Sequence, residues 1–151
     1  FPGTEAGYHS LSEVTDAQLF ARALGFIAST PAGANRAFNV TNGDIFRWST
    51  LWPTFADLFG VPVGRPRPFR LAEWMADKGP LWRRIAEAND LKKPDIDEVA
   101  SWAFGDFVFR QDYDVISDMG RLRRAGFGEQ IDSEAMFLDH IRAYREAKIL
   151  P

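Results

Sequence analysis

Ala37-Phe38-Asn39-Val40-Thr41-Asn42-Gly43-Asp44-Ile45-Phe46-Arg47-Trp48 is the stretch on which the reading of this chain turns. Phe38 and Val40, alternating with polar residues, make a short period-two run of strand type. Asn42-Gly43-Asp44 ends that run with turn chemistry, because Gly and Asn take up positive φ at little cost. Helical spacing follows. Leu51, Trp52, Phe55, Leu58 and Phe59 recur on one face, with Ser49 as the expected N-cap and Gly60 as the stop. Pro53 is then expected in the first turn, where a missing N–H costs least. The unit predicted is strand, turn, helix, which is ordinary α/β packing and defines no activity.

Upstream of this unit, Phe1-Pro2-Gly3-Thr4 reads as the tail of a strand. Thr15 and Gln18 predict a capping box opening a helix with Leu19, Phe20, Ala23, Leu24 and Ile27 as its apolar face, ended by Pro31 and Gly33. Downstream, Val61 to Phe69 is a Pro- and Gly-rich connector in which Arg65, Arg67 and Arg70 are either solvated or an anion clamp. Two short helices are expected next, one with Leu71, Trp74 and Met75, the other from Pro80 with Leu81, Trp82, Ile85 and Ala86 inward. Asp95 or Asp97 is expected to cap a segment running through Val99, Ala100, Trp102, Ala103 and Phe104. Phe104, Phe107, Val108, Phe109 and Tyr113 then crowd together, either as buried core or as the wall of a pocket for an apolar molecule. Ser117-Asp118 opens a short helix with Leu122 inward and Gly126 at its end. Asp132 or Ser133 starts the last helix, whose expected buried stripe is Phe137, Leu138, Ile141 and Tyr144. The fold class expected is α/β, mostly helical, with two or three short strands.

Composition narrows the function classes. A chain of 151 residues, 46% hydrophobic, is long enough for one domain with a real core. Mean hydropathy of -0.24 fits a soluble globular protein. Thirteen Phe and five Trp are many for this length and point to an aromatic core, an apolar pocket or a face that meets another domain. A net charge of -3 argues against nucleic acid, which leaves a basic footprint. The chain has no cysteine, and its two histidines, His9 and His140, lack metal-ligand spacing, so neither a thiolate nor a structural metal is expected. No apolar run reaches membrane length and no signal peptide is visible, so the expected setting is cytoplasmic. The first residue is Phe1 and not Met, which reads as a cut or processed chain. Asn39-Val40-Thr41 matches a glycosylation sequon, but the strand reading takes precedence.

Catalytic motifs are missing. No GxGxxG or GxxGxxG turn follows a strand, and neither a P-loop nor a GxSxG elbow occurs. Tyr144 and Lys148 do form a Tyr-x-x-x-Lys, the spacing of a reductase acid and its lysine. It is set aside, because any helix brings i and i+4 to one face and no cofactor motif precedes this pair. Asp95/Asp97 and Asp112/Asp114 read as solvated carboxylates near loops and caps.

The order of several segments resembles one family. Phe1-Pro2-Gly3-Thr4 with Thr15-Asp16-Ala17, then Phe38 to Trp48, resembles the progesterone 5β-reductase and iridoid synthase family of atypical extended short-chain dehydrogenases/reductases. Trp102-Ala103-Phe104-Gly105-Asp106 is similar to its Trp-Trp-Phe-Gly-Asp segment, and Ser117-Asp118-Met119, Gly126-Phe127 and Lys148-Ile149-Leu150-Pro151 to its C-terminal run. The resemblance implies that residues 1–151 are the C-terminal, substrate-binding domain of a longer enzyme. An N-terminal Rossmann half, absent here, would hold NADP or NAD with the catalytic Tyr and Lys. Such enzymes reduce an enone C=C bond. The implied partners are a small apolar carbonyl substrate and the Rossmann half, with self-association of the fragment when alone and no nucleic acid or membrane. No catalytic or cofactor-binding residue is expected in this chain. The substrate wall is expected at Phe104, with Phe107, Val108 and Tyr113 after it, although the sequence departs from the family pattern after Asp106. The alternatives are part of a nucleotide-sugar epimerase or dehydratase gripping a diphosphate with Arg65, Arg67 or Arg121, and a non-catalytic binding module.

Overall fold

Thr4, Asp16 and Asp132 each place a side-chain oxygen on free amides of the turn that follows, and a helix starts after each. These are α1 (Glu5–His9), α2 (Ala17–Ser29) and α8 (Ser133–Glu146) in a computed structural model that describes all residues Phe1–Pro151. Between α2 and α8 the chain makes α3 (Trp48–Leu58), α4 (Leu71–Trp74), α5 (Gly79–Ala88), α6 (Trp102–Phe109) and α7 (Gly120–Arg124). Single 3-10 turns sit at Pro31–Gly33 and Ile96–Glu98. The only sheet is a ribbon of β1 (Leu11–Ser12) and β2 (Phe46–Arg47), antiparallel, with Leu11 opposite Arg47 and Ser12 opposite Phe46. The class expected from sequence, mostly helical with few short strands, is the one observed.

Several local expectations shift. Residues 37–41 belong to no ladder. Side chains hold this segment instead: the Thr15 hydroxyl donates to the Val40 carbonyl at 2.9 Å, Arg121 to the Ala37 carbonyl at 2.8 Å, and Asn39 to the Asp118 carbonyl at 3.1 Å. A strand needs a neighbour, and no strand of this chain lies beside it. Phe1-Pro2-Gly3-Thr4 is likewise outside any strand, although the Phe1 and Pro2 carbonyls accept from Arg67 and Phe69 N–H. The α2 cap is Asp16 and not Thr15, whose hydroxyl is spent on Val40. Helix α3 starts at Trp48, so Ser49 lies inside it and Pro53 falls beyond the first turn. Asp95 caps only the 3-10 turn, and α6 begins separately after Ser101.

Two clusters make the core. Leu19 and Ala23 of α2 pack with Met119, Leu122 and Phe127. Phe20 and Leu24 of the same helix, expected inside, are about half exposed, because α2 has two apolar faces and only one finds a neighbour. The second cluster is aromatic: Phe1, Trp48 and Leu51 are buried, with Trp52, Phe55, Phe109 and Phe137 against them. Phe109 lies edge-on to Phe1, Trp48 and Trp52 at centroid distances of 5.4, 5.1 and 5.5 Å, the arrangement that ring quadrupoles favour. In α8, Phe137, Leu138 and Ile141 are half-buried, but Tyr144 is exposed.

A fully buried Asn42 joins the two halves. Its Oδ1 accepts the Asp16 N–H at 2.7 Å, and its Nδ2 donates to Ser133 Oγ at 3.1 Å. Its backbone N–H reaches the Val14 carbonyl, and its own carbonyl accepts from Ile131. Asp44, just past the turn at Gly43 (φ +93°), accepts from Ser133 N and Oγ at 2.7 and 2.6 Å. The Asn-Gly-Asp turn is therefore a knot between α2, the turn itself and α8.

The molecule is nonetheless open. A compact monomer of this mass exposes about 7,800 Å², whereas this chain exposes 9623 Å², roughly 1,800 Å² more. No helix is long and apolar enough to cross a membrane.

Candidate functional site

Helix α6 carries the site because it has two dissimilar faces. Phe109 and Val108 turn into the aromatic cluster, while Phe104 and Phe107 point outward at 64% and 65% exposure. The two outer rings are one helical turn apart with centroids 6.3 Å apart. Two contacts fix where α6 sits. Asp106 reaches across to cap α4, accepting Leu71 N–H at 2.6 Å and Ala72 N–H at 3.1 Å. Behind the helix end, α1 approaches so closely that a Cβ on Gly7 would stand 2.5 Å from the Gln111 carbonyl oxygen.

Between α6 and the β1–β2 ribbon lies a groove of about 420 Å³. Phe46, Trp48, Phe104, Phe107, Val108 and Val115 supply its apolar wall, with Glu13, Thr15, Thr41 and Gln111 at the rim. Glu13 is already engaged, accepting from Ser117 N and Oγ. An apolar trough with few polar groups at its edge suits a small hydrophobic molecule.

Three of the four expected wall residues, Phe104, Phe107 and Val108, share this groove. Tyr113, 62% exposed, does not line it. It borders a neighbouring cavity of about 620 Å³ that also contains Phe107, Gln111 and Arg110. The two spaces meet along Phe107 and Gln111. The crowded aromatic segment is thus both core and wall, according to the face of α6. Phe46 and Trp48, which entered the sequence reading only as part of the Phe38–Trp48 resemblance, complete the wall. Phe46 lies in β2, which pairs with β1, and Trp48 opens α3, so their place in the wall is visible only in three dimensions.

The other motifs separate. Lys148 lies beyond the end of α8 at φ +56° and pairs with Asp90, so Tyr144 and Lys148 do not share a helical face as the i+4 spacing implied. Arg67 sits 5.8 Å over the Trp74 ring and Arg121 binds the Ala37 carbonyl, so these two are spent on separate contacts. β2 runs into α3 without a glycine, and the first helical residue is the buried Trp48.

In sequence, the chain matches the C-terminal part of extended short-chain dehydrogenases/reductases. It is 32% identical over its whole length to (S)-8-oxocitronellyl enol synthase of Nepeta racemosa, covering 39% of that protein. It is 30% identical over 99% of its length to the short chain dehydrogenase gsfE of Penicillium aethiopicum, covering 44%. It is also 30% identical over its full length to 3-oxo-Delta(4,5)-steroid 5-beta-reductase of Arabidopsis thaliana, covering 39%. The chain therefore spans about two fifths of the length of the curated relatives it matches. No protein-family model matches it.

Proposed function

We propose that the chain is the substrate-binding part of an NAD(P)H-dependent short-chain reductase that reduces the C=C bond of an enone. Phe104, Phe107 and Val108 lie against the apolar body of the substrate, and Tyr113 borders its outer end. The observation that carries this reading is the open aromatic groove on α6, in which two large rings stay exposed beside a tightly packed Phe109. The likeness to proteins named as a reductase and a dehydrogenase supports the reaction class.

NADP or NAD, with the catalytic tyrosine and lysine, belongs in this reading to a Rossmann half outside residues 1–151, and these residues alone are inactive. The surface in excess of a compact monomer supports a docked partner domain: about 1,800 Å² on one side is the scale of a permanent interface. Without that cover, the same surface favours self-association. The setting in this reading is the cytoplasm.

The test is product analysis. The protein containing this chain, given NADPH and a simple enone, is expected to yield the saturated ketone, and an allylic alcohol as the product would overturn the reading. Titrating residues 1–151 with NADPH is expected to give no binding. Tight binding would move the cofactor site into this chain.

A further inference from the structure

The cavity beside the groove has its own chemistry. It is lined by Arg70, Glu73, Asp106, Phe107, Arg110, Gln111 and Tyr113, among others. Both carboxylates there are engaged. Asp106 caps α4 through its two oxygens, and Glu73 faces Arg70 at 3.4 Å. Arg110 forms no ion pair, and neither the Gln111 amide nor the Tyr113 hydroxyl has a hydrogen-bond partner. The polar groups left free in this wall, the Gln111 amide and the Tyr113 hydroxyl, can each offer a hydrogen-bond donor beside the Arg110 guanidinium, next to an apolar trough. Guanidinium binds carboxylate with two parallel hydrogen bonds, and an adjacent apolar surface raises the strength of such a pair.

We propose that this cavity is a carboxylate subsite, and that the preferred substrate is an apolar enone with a carboxylate at the end remote from the reacting bond. The apolar body lies along Phe104 and Phe107, and the carboxylate reaches Arg110 with help from Tyr113. Arg110 sits at the C-terminal end of α6, one position past Phe109, so the helix that sets the groove also sets the cation. This inference rests on the enone reading for the identity of the substrate, but its charge preference is separate and can be measured by binding alone.

The probes are benzalacetone and para-carboxybenzalacetone, titrated by tryptophan fluorescence into the protein that contains this chain. The wild type is expected to bind the carboxylate form at least about tenfold more tightly, an advantage that shrinks with added salt. Arg110→Ala is expected to abolish the preference and Arg110→Lys to restore part of it, read as the ratio of the two affinities. Equal affinities in the wild type, or a ratio unchanged by Arg110→Ala, would overturn the subsite. NADPH-dependent turnover is scored separately. A carboxylate preference without reduction supports the subsite and removes the enone reaction, whereas reduction without a preference does the reverse.

Discussion

Asn42 is fully buried and makes hydrogen bonds through both its side-chain atoms and its backbone. Replacing it by Ala strands the Asp16 N–H and removes the donor to Ser133 Oγ, so Asn42→Ala is expected to lower stability by roughly 2–4 kcal/mol. Urea unfolding measures this, and a change under about 0.5 kcal/mol would show that the knot is dispensable. Phe104 is the opposite case. Its ring is largely in solvent, so Phe104→Ala is expected to leave the unfolding midpoint nearly unchanged while raising KM for an enone about tenfold, the loss of one apolar contact face. A stability loss without an effect on KM would assign the ring to packing.

At the scale of elements, α6 is held by what stands behind it. Gly7 lets α1 approach the Gln111 carbonyl, and because that neighbour is backbone it has no rotamer with which to move aside. Gly7→Ala is therefore expected to cost about 1–3 kcal/mol and to alter KM along with stability, since the groove wall moves with the helix. Native stability in urea with wild-type KM would contradict this. Another joint ties the end of α8 to the loop after α5. There Lys148, hydrogen-bonded to Asp90 and carrying the opposite charge, holds the Asp90 carboxyl below its usual range. Because the folded value is depressed, the contribution is present above the unfolded carboxylate pKa and fades as pH falls through the folded one. Asp90→Asn is expected to lower Tm slightly at neutral pH, with the gap closing in acid. A gap that widens in acid would refute this. The pair is exposed, so the effect is small.

For the whole molecule, the surplus of exposed surface is the governing fact. Phe20 and Leu24 on α2, Ile45 beside the ribbon and the outer rings of α6 all face solvent. Residues 1–151 alone are expected to self-associate as concentration rises, which sedimentation or light scattering would detect, and a monomer throughout would mean that the surplus is tolerated in water.

The sequence by itself determined the class of fold, most helix positions and the importance of the Asn-Gly-Asp turn, because these depend on local spacing, caps and backbone freedom. Gly60 and Gly126, both at positive φ, close their helices as their positions implied. Tertiary structure alone decided which aromatic rings are core and which are wall. Phe104, Phe107 and Phe109 have the same chemistry and nearly the same neighbours in sequence, and only the elements packed against α6 distinguish them. It also decided that residues 37–41 form no strand, since strand pairing depends on what lies alongside and is not a property of the segment alone.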